Sequence, residues 1–188
     1  TKRKALNPLR PHAVGDLTAV SEASTREGAG ACDAMQNNRL MKEYREVSRA
    51  GSKHDSEISL SLENENSLLR WRGLLQGPPG TPYEGGRFEL KIVCTSTYPL
   101  TPPKVHFVTK VFHPNVLFKT GEICLDILKE DAWTPAWTLQ SVCRAVTALL
   151  SSPEADSPLN CDAGNLIRNG DQRGFSSMAR MYTQLHAC

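Results

Sequence analysis

A chain of 188 residues holds one domain and a tail, and is short for two domains. Hydrophobic residues make up 39% and charged residues 22%, enough for a packed core and too apolar for global disorder. Lys and Arg total 22 against 20 Asp and Glu, a net charge of +2 that asks for no nucleic-acid partner, and no apolar run reaches the roughly 18 residues of a membrane span.

All 12 aromatic residues lie from Tyr44 onward. Residues 1–32 mix Pro, Gly, Ser, Glu and Arg with isolated aliphatics and read as a flexible N-terminal extension, leaving 33–188 as the folded domain. Asp33 is placed to cap a helix running to about Ala50, with Gly51 at its end. Leu40, Tyr44 and Val47 fall on one face of it, and Arg39, Lys42, Arg45 and Arg49 on the opposite, wet face. Strand patterns follow at Ile58-Leu60-Leu62, around Trp71 between Leu68 and Gln76, at Phe88-Leu90-Ile92 and at Val105-Phe107. Short connections make a four-stranded antiparallel meander the economical topology. Helical spacing returns at Leu139, Val142, Val146, Leu149 and Leu150, with Pro153 as a stop, and again at Phe175, Met178, Tyr182 and Leu185. The order predicts an α+β fold: helix, sheet, long irregular stretch, C-terminal helices.

The irregular stretch, about 109–137, has no clean period but contains Phe112, Phe118, Ile123, Ile127, Trp133 and Trp137. So much apolar surface predicts an ordered, functional loop. Pro114 and Pro135 fix φ locally and Gly121 permits a turn just before Cys124. The residues alone leave two readings of Cys124, a nucleophile or a buried structural thiol. His113-Pro114-Asn115 is a rigid tripeptide suited either to presenting a side chain or to building a turn. The six cysteines include no C-x-x-C pair, so no metal site is expected. No apolar signal core follows Thr1-Lys2-Arg3-Lys4, which favours reduced thiols over disulfides. Cys94, Cys143 and Cys161 read as structural, and Cys188 as exposed.

His113-Pro114-Asn115 followed by Gly121-Glu122-Ile123-Cys124-Leu125-Asp126-Ile127-Leu128 resembles the signature of ubiquitin-conjugating enzymes. Gly77-Pro78, Thr81-Pro82-Tyr83-Glu84-Gly85-Gly86, Tyr98-Pro99, Pro102-Pro103-Lys104-Val105, Trp133-Thr134-Pro135-Ala136 and Asp156-Ser157-Pro158-Leu159 continue in register, so the resemblance covers roughly 34–188. It implies that Cys124 accepts ubiquitin as a thioester from an activating enzyme and passes it, with a ligase, to a substrate. It implies no cofactor, ATP being consumed one step earlier. Asn115 is expected to serve the tetrahedral oxyanion, directly or by bracing the loop. His113, Pro114, Leu125 and Asp126 are expected to form the scaffold of the site. Arg39 and Lys42 resemble the basic face that meets the activating enzyme. Leu100, Pro135 and Ala136 resemble the ligase-facing loops, and Arg144 departs from the family at a position, often apolar, where donor ubiquitin packs.

Two departures stand out. One residue more than in common members separates Asn115 from Cys124, and Ser157 stands where many members place an Asp that helps the incoming lysine, leaving Asp156 as a substitute. Together with Phe118-Lys119-Thr120-Gly121-Glu122 and Gly164-Asn165-Leu166-Ile167-Arg168, they are similar to the peroxisomal branch, which implies import receptors as substrates and a membrane-anchored partner. The expected location is cytoplasmic, with recruitment to the cytosolic face of the peroxisomal membrane. Alternatives are a conjugator for general ubiquitination or another modifier, and a non-catalytic binding module.

Overall fold

The computed structural model describes residues 37–49 and 57–188. The expected cap at Asp33, the helix end at Ala50 and Gly51, and the boundary between 32 and 33 lie outside the described residues. Residues 37–49 are helical (α1). Four strands follow, β1 (Ile58–Leu62), β2 (Arg70–Gln76), β3 (Arg87–Val93) and β4 (Lys104–Phe107), then helices α2 (Leu139–Ser151), α3 (Cys161–Arg168) and α4 (Gln172–His186).

The sheet is the expected antiparallel meander, in the order β1-β2-β3-β4. Its register lines up Leu60, Gly73, Leu90 and Phe107 in one row across all four strands. Side chains alternate strictly along β2, so Trp71 and Leu75 point inward while Arg70, Arg72 and Leu74 stay exposed. Trp71, Leu75, Phe88, Leu90 and Ile92 meet Leu139, Val142, Cys143, Val146 and Leu150 of α2 in one buried core. The helix α1 adds Leu40, fully buried, and sets Tyr44 edge-on against Trp71 at 6.2 Å.

Helix α2 opens on a reciprocal cap, with Ser141 N–H donating to Thr138 Oγ1 and Thr138 N–H donating to Ser141 Oγ. It stops at Ser151, two residues before Pro153. Two local expectations need correction. The second strand begins at Arg70; Leu68 belongs to the preceding turn, where its carbonyl accepts the Trp71 indole N–H at 2.7 Å. Helix α3 was hidden by its shortness and by a buried face made of Ala163 and Gly164, although Asn160 caps it through Ala163 N–H.

Candidate active site around Cys124

The stretch between β4 and α2 is ordered by backbone pairing. Phe107 N–H donates to Gly121 O at 2.8 Å and Leu117 N–H to Glu122 O at 2.8 Å, while Val116 and Ile123 form an antiparallel bridge. Gly121 has φ of 74° and lies so close to the Phe107 carbonyl that a Cβ there would stand 1.9 Å from its oxygen. Only glycine fits both the left-handed turn and that approach. The resulting flap delivers Cys124 half-buried at its end, its N–H held by Asn115 O at 2.9 Å.

His113 is fully buried. Its Nε2 lies 3.0 Å from Leu149 O, an acceptor, so Nε2 carries the proton and donates. Nδ1 then accepts the Asn115 N–H at 3.1 Å. Burial pushes the ring's pKa down to about 4, against the opposing pull of the Leu149 carbonyl, so the imidazole is neutral at physiological pH. His113 is thus a strut inside the turn.

Pro114 and Asn115 fasten a second loop. Pro114 O accepts from both Leu159 N–H (2.8 Å) and Asn160 N–H (3.0 Å). The Asn115 side chain donates from Nδ2 to Glu154 O at 2.9 Å and accepts Glu154 N–H on Oδ1 at 2.8 Å. Asn115 is only 3% exposed. Of the two roles expected for Asn115, this geometry supports bracing: the amide is turned into the loop and engaged there. Asp156 and Ser157 are exposed on that same loop. One residue, Asn115, therefore links Cys124 on its backbone side to the Asp156-Ser157 segment on its side-chain side.

Beyond Cys124, Leu125 is half-buried and packs on the core, and a short 3-10 turn (Asp126–Leu128) follows. Asp126 turns outward and pairs with Lys129 Nζ at 2.7 Å. This bond raises the Lys129 pKa first, with smaller contributions that include the nearby Cys124 sulfur. Among the described residues, no group of three or more His, Cys, Asp or Glu is arranged to hold a metal ion.

The surface residues divide. Leu100, Pro135 and Ala136 are exposed, Leu100 at 56%. The two loops that carry them are tied together, because the Trp133 indole N–H donates to Pro99 O at 2.8 Å. Arg144 lies exposed on α2, and Lys42 is exposed with Glu46 4.0 Å away. Arg39 requires a correction. It is not part of a wet basic face, because its Nε pairs with buried Glu43 at 2.6 Å and its Nη2 donates to Trp137 O at 2.8 Å. Its charge is used inside the fold. Glu43 itself was overlooked, although an acidic residue between Leu40 and Val47, in the i, i+3, i+7 pattern of the buried face, was the available signal.

Residues 39–183 match the family model described as "Ubiquitin-conjugating enzyme". The chain belongs to the ubiquitin-conjugating enzyme family. It is 61% identical over 149 residues to Protein PEROXIN-4 of Arabidopsis thaliana, covering 79% of this chain and 93% of that one. It is 59% identical over 150 residues to ubiquitin-conjugating enzyme E2 pex4 of Dictyostelium discoideum, covering 80% and 98%. Among solved structures it superposes, with a TM-score of 0.77 and 36% identity, on the ubiquitin-conjugating enzyme Pex4p of H. polymorpha in complex with the soluble domain of Pex22p. That match covers 81% of this chain and 98% of the other. The ubiquitin-conjugating enzyme described here is a ubiquitin transferase of the peroxisomal type, and its helix–meander–loop–helix order is that of the family.

Proposed function

We propose that Cys124 is the ubiquitin carrier and that this enzyme loads peroxisomal import receptors with ubiquitin so that they can be recycled. The Cys124 thiolate attacks the thioester carbonyl that joins ubiquitin's C-terminus to the activating enzyme. A new C–S bond forms on Cys124 as the old one breaks, and the activating enzyme's sulfur leaves. An acceptor on the receptor then attacks the carbonyl and gives up its proton, and Cys124 departs as thiolate. No electrons are gained or lost, and the chain needs no cofactor of its own.

The observation that carries this reading is the half-buried Cys124 at the end of a flap fixed at both sides, by Gly121 to β4 and by Asn115 to the 152–160 loop. An acyl transfer from an already activated thioester asks the protein mainly for such positioning. Ser157 in place of a carboxylate supports a thiol as acceptor, because a thiol with a pKa near 8.5 ionises more readily than a lysine near 10.4. Lys42 is assigned to the activating-enzyme contact, Leu100, Pro135 and Ala136 to the ligase, and Arg144 to the donor ubiquitin. The solved complex of a similar enzyme with the soluble domain of Pex22p supports a membrane-anchored partner. No helix among the described residues is long and apolar enough to cross a membrane. Recruitment to the cytosolic face of the peroxisome is assigned to that partner.

The test is charging with activating enzyme, ATP and labelled ubiquitin, resolved with and without reductant. A reductant-sensitive adduct is expected in the wild type, none in Cys124→Ala, and a reductant-resistant ester in Cys124→Ser. An adduct that persists unchanged in Cys124→Ala overturns the assignment, and charging only by another modifier overturns the choice of donor. Thioester that discharges to free lysine faster than to free cysteine at equal concentrations overturns the thiol acceptor.

A further inference from the structure

Glu43 is a carboxylate almost wholly removed from water, 3% exposed, on a helix whose neighbouring acidic residue Glu46 is solvated. Three donors from three parts of the chain converge on it. Arg39 Nε lies 2.6 Å from Oε1, Tyr98 Oη donates to the same oxygen at 2.6 Å, and Leu139 N–H donates to Oε2 at 2.7 Å. Arg39 extends the cluster by holding Trp137 O at 2.8 Å. Tyr98 begins the segment that exposes Leu100, and Trp137 and Leu139 close the segment that exposes Pro135 and Ala136. The two segments are also joined directly, by the Trp133 indole on Pro99 O and by the tilted Tyr98–Trp133 ring pair at 6.2 Å.

A buried charge is costly unless every lone pair is used, and an apolar side chain would fill the space at no such cost. Retaining one here has a geometric consequence: both exposed loops are referenced to α1 through a single side chain. We infer that Glu43 is a positioning residue for the known transfer, holding the Leu100 loop and the Pro135-Ala136 loop at one fixed spacing so that they present a single ligase-facing surface. The inference rests on the proposed ligase contact of those loops. Glu43 touches no reacting atom; it acts through Tyr98, Arg39 and Leu139.

Glu43→Gln isolates the effect. A glutamine has the same shape, but its NH2 group must face either Leu139 N–H or the Arg39 and Tyr98 donors, so the three cannot all be satisfied. The experiment uses the full chain as wild type, Glu43→Gln, Tyr98→Phe and Phe175→Leu. The last removes core packing on α4, away from both loops, and serves as the stability control. Two readouts are taken: hydrogen exchange at the Leu100 and Trp137 amides, and discharge of the ubiquitin thioester titrated with a recombinant RING-domain ubiquitin ligase.

In Glu43→Gln, exchange at both amides is expected to rise, and the half-saturating ligase concentration to rise roughly ten-fold, the factor expected from one lost charge-assisted hydrogen bond. Ligase-free discharge to lysine stays within about two-fold of wild type, because the Cys124 flap is not part of the cluster. Tyr98→Phe shifts half-saturation in the same direction by less, and Phe175→Leu leaves it unchanged. Unchanged half-saturation in Glu43→Gln, or an equal shift in Phe175→Leu, overturns the positioning role. A ligase that fails to accelerate even the wild type, while the charging assay still shows the Cys124 adduct, overturns the ligase surface and this inference with it, and leaves the carrier assignment standing.

Discussion

Asn115 and Glu154 exchange two hydrogen bonds, side-chain amide to main-chain peptide, at 2.9 and 2.8 Å. The pair closes like a rung between strands, although neither residue belongs to one. Since Asn115 O also holds Cys124 N–H, the rung fixes the distance between the Cys124 backbone and the loop bearing Asp156 and Ser157.

Asn115→Ala is therefore expected to release the 152–160 loop. Glu154 N–H and C=O lose their partners together, a cost of about 2–4 kcal/mol for two part-buried bonds. Cys124 keeps its own N–H bond, which goes to the Asn115 main chain, so charging persists while discharge slows. Hydrogen exchange at Glu154, measured beside the discharge rate, reads the two together. A slowed discharge with an unchanged Glu154 amide would assign Asn115 to the oxyanion and remove the bracing role.

His113 makes the site's scaffold sensitive to acid. Its folded pKa is lowered from 6.5 to about 4 by burial, so the unfolded chain binds the proton first as pH falls. The stabilising contribution is fully present above pH 6.5 and is lost progressively between 6.5 and about 4, reaching about 3 kcal/mol. Denaturant midpoints of the wild type across that window should fall more steeply than those of His113→Gln, which has no group titrating there. Parallel pH profiles of the two proteins would contradict the buried neutral imidazole.

Much of the fold was legible because its elements bury one face at a regular period. The four strands alternate, α2 and α4 carry helical apolar spacing, and Pro153 marks a stop. The candidate site was read at Cys124 and His113-Pro114-Asn115 from motif resemblance, not from periodicity. What the pattern could not convey was direction of use. Asn115 could equally face the oxyanion or brace the loop, and its side chain is turned inward to Glu154; Arg39 looked like a surface charge and is paired with Glu43. Glu154 lies 39 residues from Asn115, and a hydrogen bond between distant residues leaves no periodic trace. Glu43 lies one turn from Arg39, and its place on the buried face was the trace it left. Helix α3 was missed because eight residues make only about two turns, too few for a period to repeat, and its buried positions are the small Ala163 and Gly164.

The five cysteines among the described residues fall into two reactivity classes. Burial pushes the thiols of Cys94 and Cys143 up to about 12, with the charge of Glu43 adding to the effect at Cys94. Both are protonated at neutral pH and closed to reagents. Cys161 and Cys188 are exposed and Cys124 is half-exposed. Brief alkylation of the native protein followed by peptide mass mapping should label Cys124, Cys161 and Cys188, and reach Cys94 and Cys143 only after unfolding. Prior loading with ubiquitin should protect Cys124 alone. Native labelling at Cys143 would contradict the packing of α2 on the sheet.

Gly121 and Gly85 share a left-handed backbone, at φ of 74° and 81°, but not an environment. A Cβ on Gly85 meets no heavy atom within 4 Å, whereas one on Gly121 collides with Phe107 O at 1.9 Å. Gly85→Ala should cost only the conformational penalty, roughly 1–2 kcal/mol. Gly121→Ala adds a clash with main chain that no rotamer relieves, and must break the Phe107 N–H to Gly121 O bond, for a total of about 4 kcal/mol. That bond seats the flap on β4, so its loss also displaces Cys124. Comparing the two variants by thermal denaturation and by charging rate separates strain from position. Gly85→Ala should charge as the wild type does, while Gly121→Ala should charge slowly even below its own melting transition, where the domain is still folded. Equal behaviour of the two would mean that the flap's attachment to β4 does not govern the thiol.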